Sequence, residues 1–447
     1  MSGQSCSDME TILESQRFGP LQIRVAILCA LAQAFDGYDI TSIGMAAPAL
    51  SHAWGVPAAA FANAFVMSSV GIMVGALASG PIGDRIGRKP VILHSLAFLC
   101  VFSLLSAAAT SVGMLAVLRF MTGIGIGALM PSTVALAADY TPARLRTITI
   151  MWVFTGNTLG GFLGGQLVAQ LLPHYGWQIV FLIGGVLPLA LIPVLLLILP
   201  ESVRFLLMHE RRSPRVMRIY AAMYIDPDYA SVRHGPLDVL RGNPVGALFA
   251  DGYASRTVLL WIMFFANLMS MYMISYWLPS VLHLSGLSPA DAVFAASLMS
   301  AGAVLSILVL GPLSTSFGPE RVLVVSYGGG VVVIAMLALL DLPYGLLLGA
   351  IFVMGACTIG SQLAANGLAA ARYPARMRTT GVGWALGIGR LGGIAGPALG
   401  GALLAMGWPP RQIFLFACVT AAIAATSVAL LGASARRQLP ASILQKT

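Results

Sequence analysis

The feature that most restricts the fold is a recurring stretch of about twenty residues almost free of charge, long enough as a helix to cross a bilayer. Such stretches fall near 23–49, 59–81, 90–110, 112–137, 148–172 and 177–199. They recur near 257–282, 290–313, 322–340, 344–370, 380–404 and 412–433. The sequence therefore predicts an all-α membrane protein with twelve transmembrane helices. Composition agrees: 58% of residues are hydrophobic and 9% charged, whereas a soluble domain carries about 25% charged residues.

What lies between the runs sets the orientation. Arg85, Arg88 and Lys89 follow the second run, Arg144 and Arg146 the fourth, Arg321 the eighth, and Arg372, Arg376 and Arg378 the tenth. A polar, arginine-rich stretch separates the two sets of six, while the opposite connections hold Arg411 as their basic residue. This alternation is the positive-inside pattern and places both termini in the cytoplasm. The formal charge of +9 is thus a topology signal, and nucleic acid is not an expected partner. The expected organisation is a cytoplasmic segment 1–22, a six-helix bundle 23–199, a cytoplasmic loop 200–256, a second bundle 257–433 and a tail 434–447. The first twenty residues are polar and acidic and do not read as a cleavable signal. Five scattered cysteines without metal spacing predict neither disulfides nor a metal site, and no GxxxxGK[ST] motif points to ATP. No cofactor is expected.

The halves repeat each other at a shift of 231–233 residues. "AADYTPARLRT" (137–147) returns as "AARYPARMRT" (370–379), and "GPIGDRIGRKPV" (80–91) as "GPLSTSFGPERV" (311–322). Trp152 matches Trp384, and Gly160, Gly161 and Gly164 match Gly392, Gly393 and Gly396. Two pseudo-symmetric bundles of this kind are typical of secondary transporters, with the site at their interface near mid-membrane.

Charges inside the runs are costly and therefore informative. Asp36 and Asp39, three positions apart, share one face of the first helix. Two carboxylates so close in a low-dielectric site resist double ionisation, which suits proton coupling at either acid. The alternative is that one acid caps a break at Gly37 or pairs with a base. Arg119, in the fourth helix, stays protonated and needs a partner, either as a structural pair or in exchange with the helix-one acids. Arg390, in the eleventh helix, has no acid in the apolar interiors of its own half, so it either binds an anion or pairs across the halves with Asp36 or Asp39. Gly392, Gly396 and Gly400 form a stripe for close helix contact, and Arg390 points away from it. Further substrate-binding candidates are Tyr38, Tyr276, Trp277 and Trp384 for a ring, and Asn157, Asn267, Gln362 and Asn366 for a ligand hydroxyl. Packing and interhelical glue are the competing roles of these side chains.

"GPIGDRIGRKP", "RFMTGIGIGA" from Arg119 and "PESVRFL" from Pro200 resemble signatures of the major facilitator superfamily, over essentially the whole chain. "DGYD" in helix one, "ALFADGYASRTVLLW" entering helix seven and "GVGWALGIGRLGGIAGP" in helix eleven are similar to its aromatic acid/proton symporter branch. The resemblance implies the major facilitator fold, a bacterial inner-membrane location, a monomer by family default, proton transfer near Arg119, and a cytoplasmic latch at Gly83, Asp84, Arg85, Gly87, Arg88 and Lys89. The second copy of that loop departs: Thr315 replaces Asp84, and Pro319 and Glu320 replace Arg88 and Lys89, so its charge chemistry is expected in the first half alone. The implied function is import of a small carboxylate, an aromatic acid of the benzoate or hydroxybenzoate type, with protons by alternating access, and no enzymatic step. Rival readings are a proton-driven exporter, a sugar-type porter and a non-transporting receptor. "GGIAGPALGG" (392–401) fits an antiporter pattern that belongs in helix five, where this chain has no proline, which weighs against export.

Overall fold

The apolar runs all become helices in a computed structural model that describes residues 18–203, 205–206, 245–250 and 252–437. Cys6, the N-terminal segment before 18, most of the central loop and the tail beyond 437 lie outside the described residues. The first half comprises α1 (Pro20–Trp54), α2 (Ala62–Ile86), α3 (Arg88–Ala107), α4 (Val112–Tyr140), α5 (Ala143–Tyr175) and α6 (Gln178–Ile198). The second comprises α7 (Ala254–Leu284), α8 (Pro289–Phe317), α9 (Pro319–Leu339), α10 (Tyr344–Arg372), α11 (Ala375–Ala405) and α12 (Phe414–Arg437). Several helices overrun their apolar stretch by up to five residues, because a helix continues into the polar interface until a cap ends it. Ser111 starts α4 by accepting from the Met114 amide, and Ser288 starts α8 by accepting from Asp291.

Ten of these helices are long and apolar enough to cross a membrane on composition alone. The two outside that set are α1, which carries Asp36 and Asp39, and α5, which starts with Arg144 and Arg146. They pack against each other, and Asp36 and Asp39 are buried within the bundle, whereas Arg144 is exposed at the helix start.

The duplication is visible in the pairing. In the first half α1 packs on α5, α2 on α4, α3 on α4 and α6, and α1 on α6. In the second, α7 packs on α11, α8 on α10, α9 on α10 and α12, and α7 on α12. The halves meet through α1 with α7, α2 with α11 and α5 with α8, a set that maps onto itself when six is added to each number.

Close approach in these pairs depends on glycine. A Cβ at Gly156 or Gly160 would overlap the carbonyls of Ala30 and Ala34, and one at Gly37 the carbonyl of Asn157. In the equivalent pair, Gly392 and Gly396 lie on the carbonyls of Phe265 and Met269, and Gly400 on the Trp277 ring. This is the contact expected of that stripe. α1 runs unbroken through Gly37, so neither acid caps a break there.

We call the side holding the α2–α3, α4–α5, α8–α9 and α10–α11 turns the near side, and the opposite one the far side. Described contacts between halves cluster on the far side. Phe65 stacks on Tyr276 at 5.1 Å and meets Trp277 edge-on at 4.9 Å. The Gln166 amide donates to Ser297 at 2.6 Å, and Gly44 rests on the Tyr276 carbonyl. Ile23 lies five helical turns before Thr41, and Val258 five turns before Tyr276, so each pair shares a helix face. That face is covered at Tyr276 but exposed at Ile23, Ile27, Val258 and Ile262. The halves are closed on the far side and splayed on the near side.

Candidate substrate and proton site

The two helix-one acids occupy different surroundings. Asp39 pairs with Arg119 at 3.2 Å, both being at most 1% exposed. Ser103 donates to Asp39 at 3.2 Å, and a Cβ on Gly184 would collide with the Ser103 hydroxyl and crowd that carboxylate. The Arg119 guanidinium donates further to Ser42 (3.2 Å), Ser106 (3.0 Å) and Thr122 (2.9 Å), and its carbon lies 4.9 Å from the centre of the Phe181 ring. Residues from α1, α3, α4 and α6 thus enclose one ion pair, and the charge is compensated where it sits.

Asp36 is fully buried and much less satisfied. Its Oδ2 accepts from Asn157 at 2.9 Å, whereas its Oδ1 has no partner. Arg390, across the junction on α11, is close enough to interact electrostatically with Asp36 but forms no ion pair with it. Its guanidinium instead donates to the Tyr272 hydroxyl at 3.1 Å and approaches the Met130 sulfur at 3.6 Å. An arginine half-buried between the bundles, held by neutral groups, is the arrangement an incoming carboxylate would complete.

The remaining candidates divide by location. The Tyr38 hydroxyl donates to the Val180 carbonyl at 2.5 Å, and its ring packs between Gly164 and Gly184, inside the first half. Asn267 donates to Gln362 at 2.6 Å, which donates to Asn366 at 3.0 Å, an amide chain linking α7 to α10. Tyr276 and Trp277 belong to the far-side closure, where the Trp277 indole donates to the Pro397 carbonyl at 3.1 Å. Trp384 stacks on Trp261 at 5.8 Å and is 43% exposed.

In the near-side turn, Gly87 has φ of 100°, a conformation that favours glycine. Asp84 pairs with Arg88 at 2.7 Å, Gly83 packs beneath Arg88, and Arg85 is exposed. Glu201 accepts from the backbone amides of Arg88 (2.8 Å) and Lys89 (3.1 Å), capping α3 with a negative charge. The Lys89 ammonium donates to the Leu196 carbonyl. The second copy corrects one expectation, because it too carries a charge pair: Glu320 binds Arg372. The matching first-half positions hold Lys89, which donates to the Leu196 carbonyl, and Asp139, which accepts from Ser202.

A profile of the Major Facilitator Superfamily matches residues 29–384 and 260–443. The chain belongs to the major facilitator superfamily. This facilitator is 37% identical to the 4-hydroxybenzoate transporter PcaK of Pseudomonas aeruginosa over 440 residues, covering 95% of this chain and 96% of that protein. It is 36% identical to the gallate transporter of Pseudomonas putida over 437 residues, 97% of each. Among solved structures, the partially occluded, inward-open xylose transporter XylE from E. coli superposes with a TM-score of 0.71 at 15% identity, covering 91% of this chain and 97% of that one, a likeness of fold. The facilitator is thus a multi-pass membrane transporter. Sequence reasoning missed the partners of its charges. Tyr272 and Met130 were not tied to Arg390, nor Ser103, Ser106 and Thr122 to the ion pair. Their only signal was polarity or sulfur within apolar runs, which is common in membrane helices.

Proposed function

We propose that the protein carries a small aromatic carboxylate into the cytoplasm together with protons, by alternating access, with the near side cytoplasmic. The observation that carries this reading is Arg390, a permanent charge at the junction of the halves whose partners are neutral. Its planar fork suits bidentate binding of a carboxylate. The relatives named for 4-hydroxybenzoate and gallate supply the substrate class. Support for the orientation comes from Arg85, Arg88, Arg144, Arg146, Arg321 and Arg372, which all lie toward the near side.

Coupling follows from like-charge repulsion. An ionised Asp36 repels a carboxylate approaching Arg390, so protonation of Asp36 favours substrate loading and loss of that proton favours release. Asp39 remains with Arg119 and supports the site electrostatically. The amides of Asn267, Gln362 and Asn366 offer partners for a ring hydroxyl.

The test is uptake of labelled benzoate, 4-hydroxybenzoate and gallate into proteoliposomes, with and without an inward proton gradient. The expected result is gradient-dependent accumulation of at least one acid. Arg390→Ala should weaken its binding by about 30-fold or more, equivalent to roughly 2 kcal/mol. Asp36→Asn should still bind and exchange substrate but no longer accumulate it. Gradient-driven efflux would reverse the direction, and normal transport by Arg390→Ala would remove the anion site.

A further inference from the structure

Two buried acceptor oxygens on α1 have no partner: Gln33 Oε1 and Asp36 Oδ1, both on residues 0% exposed. They belong to residues three apart, whose Cβ atoms on a helix lie about 5–6 Å from each other on one face. The other end of each group is already fixed. Gln33 Nε2 donates to Thr133 Oγ1 at 2.8 Å, and Asp36 Oδ2 accepts from Asn157 at 2.9 Å. Each free oxygen alone is a desolvated polar atom, costly in an apolar interior.

We propose that Gln33 is the positioning residue for the proton on Asp36: once protonated at Oδ1, Asp36 donates that hydrogen to Gln33 Oε1. One proton then converts two unpartnered acceptors into a donor–acceptor pair. The only covalent change is the Oδ1–H bond, and the Gln33 amide stays neutral. Asn157 holds Oδ2 and thereby directs the proton to Oδ1, while Thr133 holds the amide nitrogen and leaves the carbonyl to receive it. The charges around Asp36 are Arg390 from α11 and Asp39 one turn along α1, the latter paired with Arg119 of α4; α5 presents the neutral Asn157. The inference deepens the symport reading by assigning the transported proton to Asp36 rather than Asp39.

Infrared difference titration of the purified full-length protein in lipid nanodiscs tests this without substrate. The carbonyl stretch of a protonated carboxyl that disappears in Asp36→Asn belongs to Asp36, and its pH midpoint is the readout. Gln33→Met, of similar length but with only a weakly accepting sulfur, should move that midpoint about one pH unit lower, a roughly tenfold weaker hold on the proton. Thr133→Val, which leaves Gln33 in place but frees its amide to turn, should move the midpoint in the same direction and covers the case where Gln33→Met does not fold. A midpoint unchanged or raised in Gln33→Met overturns the proposal, a rise meaning that the amide donates to the anion instead. A wild-type protein with no such band at any pH overturns it as well. The uptake panel stands apart: absent transport with the midpoint shift intact would count against the symport reading alone.

Discussion

Asp36 and Asp39 are the same residue type on the same helix face, yet one is enclosed by partners and the other is not. The four-residue motif shows that two acids share a face, and no more. The difference lies in α3, α4 and α6, which bring Ser103 and Arg119 to Asp39, and Phe181 to Arg119, from distant parts of the chain. Removing one member of a buried pair strands the other charge, which costs about 3–5 kcal/mol. Asp39→Ala should therefore lower the thermal unfolding midpoint of the detergent-solubilised protein substantially. The double variant Asp39→Asn with Arg119→Gln should recover a large part of that loss, as nanoscale fluorimetry would show. Equal destabilisation by the single and double variants would mean that packing, rather than charge, holds this site.

At the level of helices, glycine spacing was the most readable feature of the sequence. Gly392, Gly396 and Gly400 could be assigned to a helix contact from their period alone, and the same period in Gly156, Gly160 and Gly164 marks the α1–α5 seam. Less readable was the clasp of Glu201 on the α2–α3 turn, since residues over a hundred positions apart meet there. The seams make a paired prediction. Gly160→Val should destabilise the protein by about 1–3 kcal/mol or more, because its new side chain meets the backbone of Ala34. Gly349→Ala, with nothing within 4 Å of the added carbon, should stabilise α10 by about 0.5–1 kcal/mol. Thermal unfolding of both variants against wild type checks the contrast.

For the molecule as a whole, twelve spans and a duplicated unit follow from hydropathy and one constant shift, and the helix pairings repeat accordingly. The near-side opening does not follow from sequence, because each half presents the same residues in every state and only their mutual tilt changes. Cysteine labelling reads that tilt. In a cysteine-free background, Ile27→Cys and Val258→Cys should react with a membrane-impermeant maleimide, while Ser297→Cys and Ser300→Cys should be protected. Reversed reactivity would mean that the far side is the open one. The far-side closure combines ring stacking, one amide–hydroxyl bond and glycine contacts, and the four described ion pairs each stay within one half. Moving an equilibrium from 1:99 to 99:1 takes about 5.5 kcal/mol of differential binding. A seam of such modest joints keeps a change of tilt between the halves within that reach, so that the molecule works as a balance a small cargo can tip.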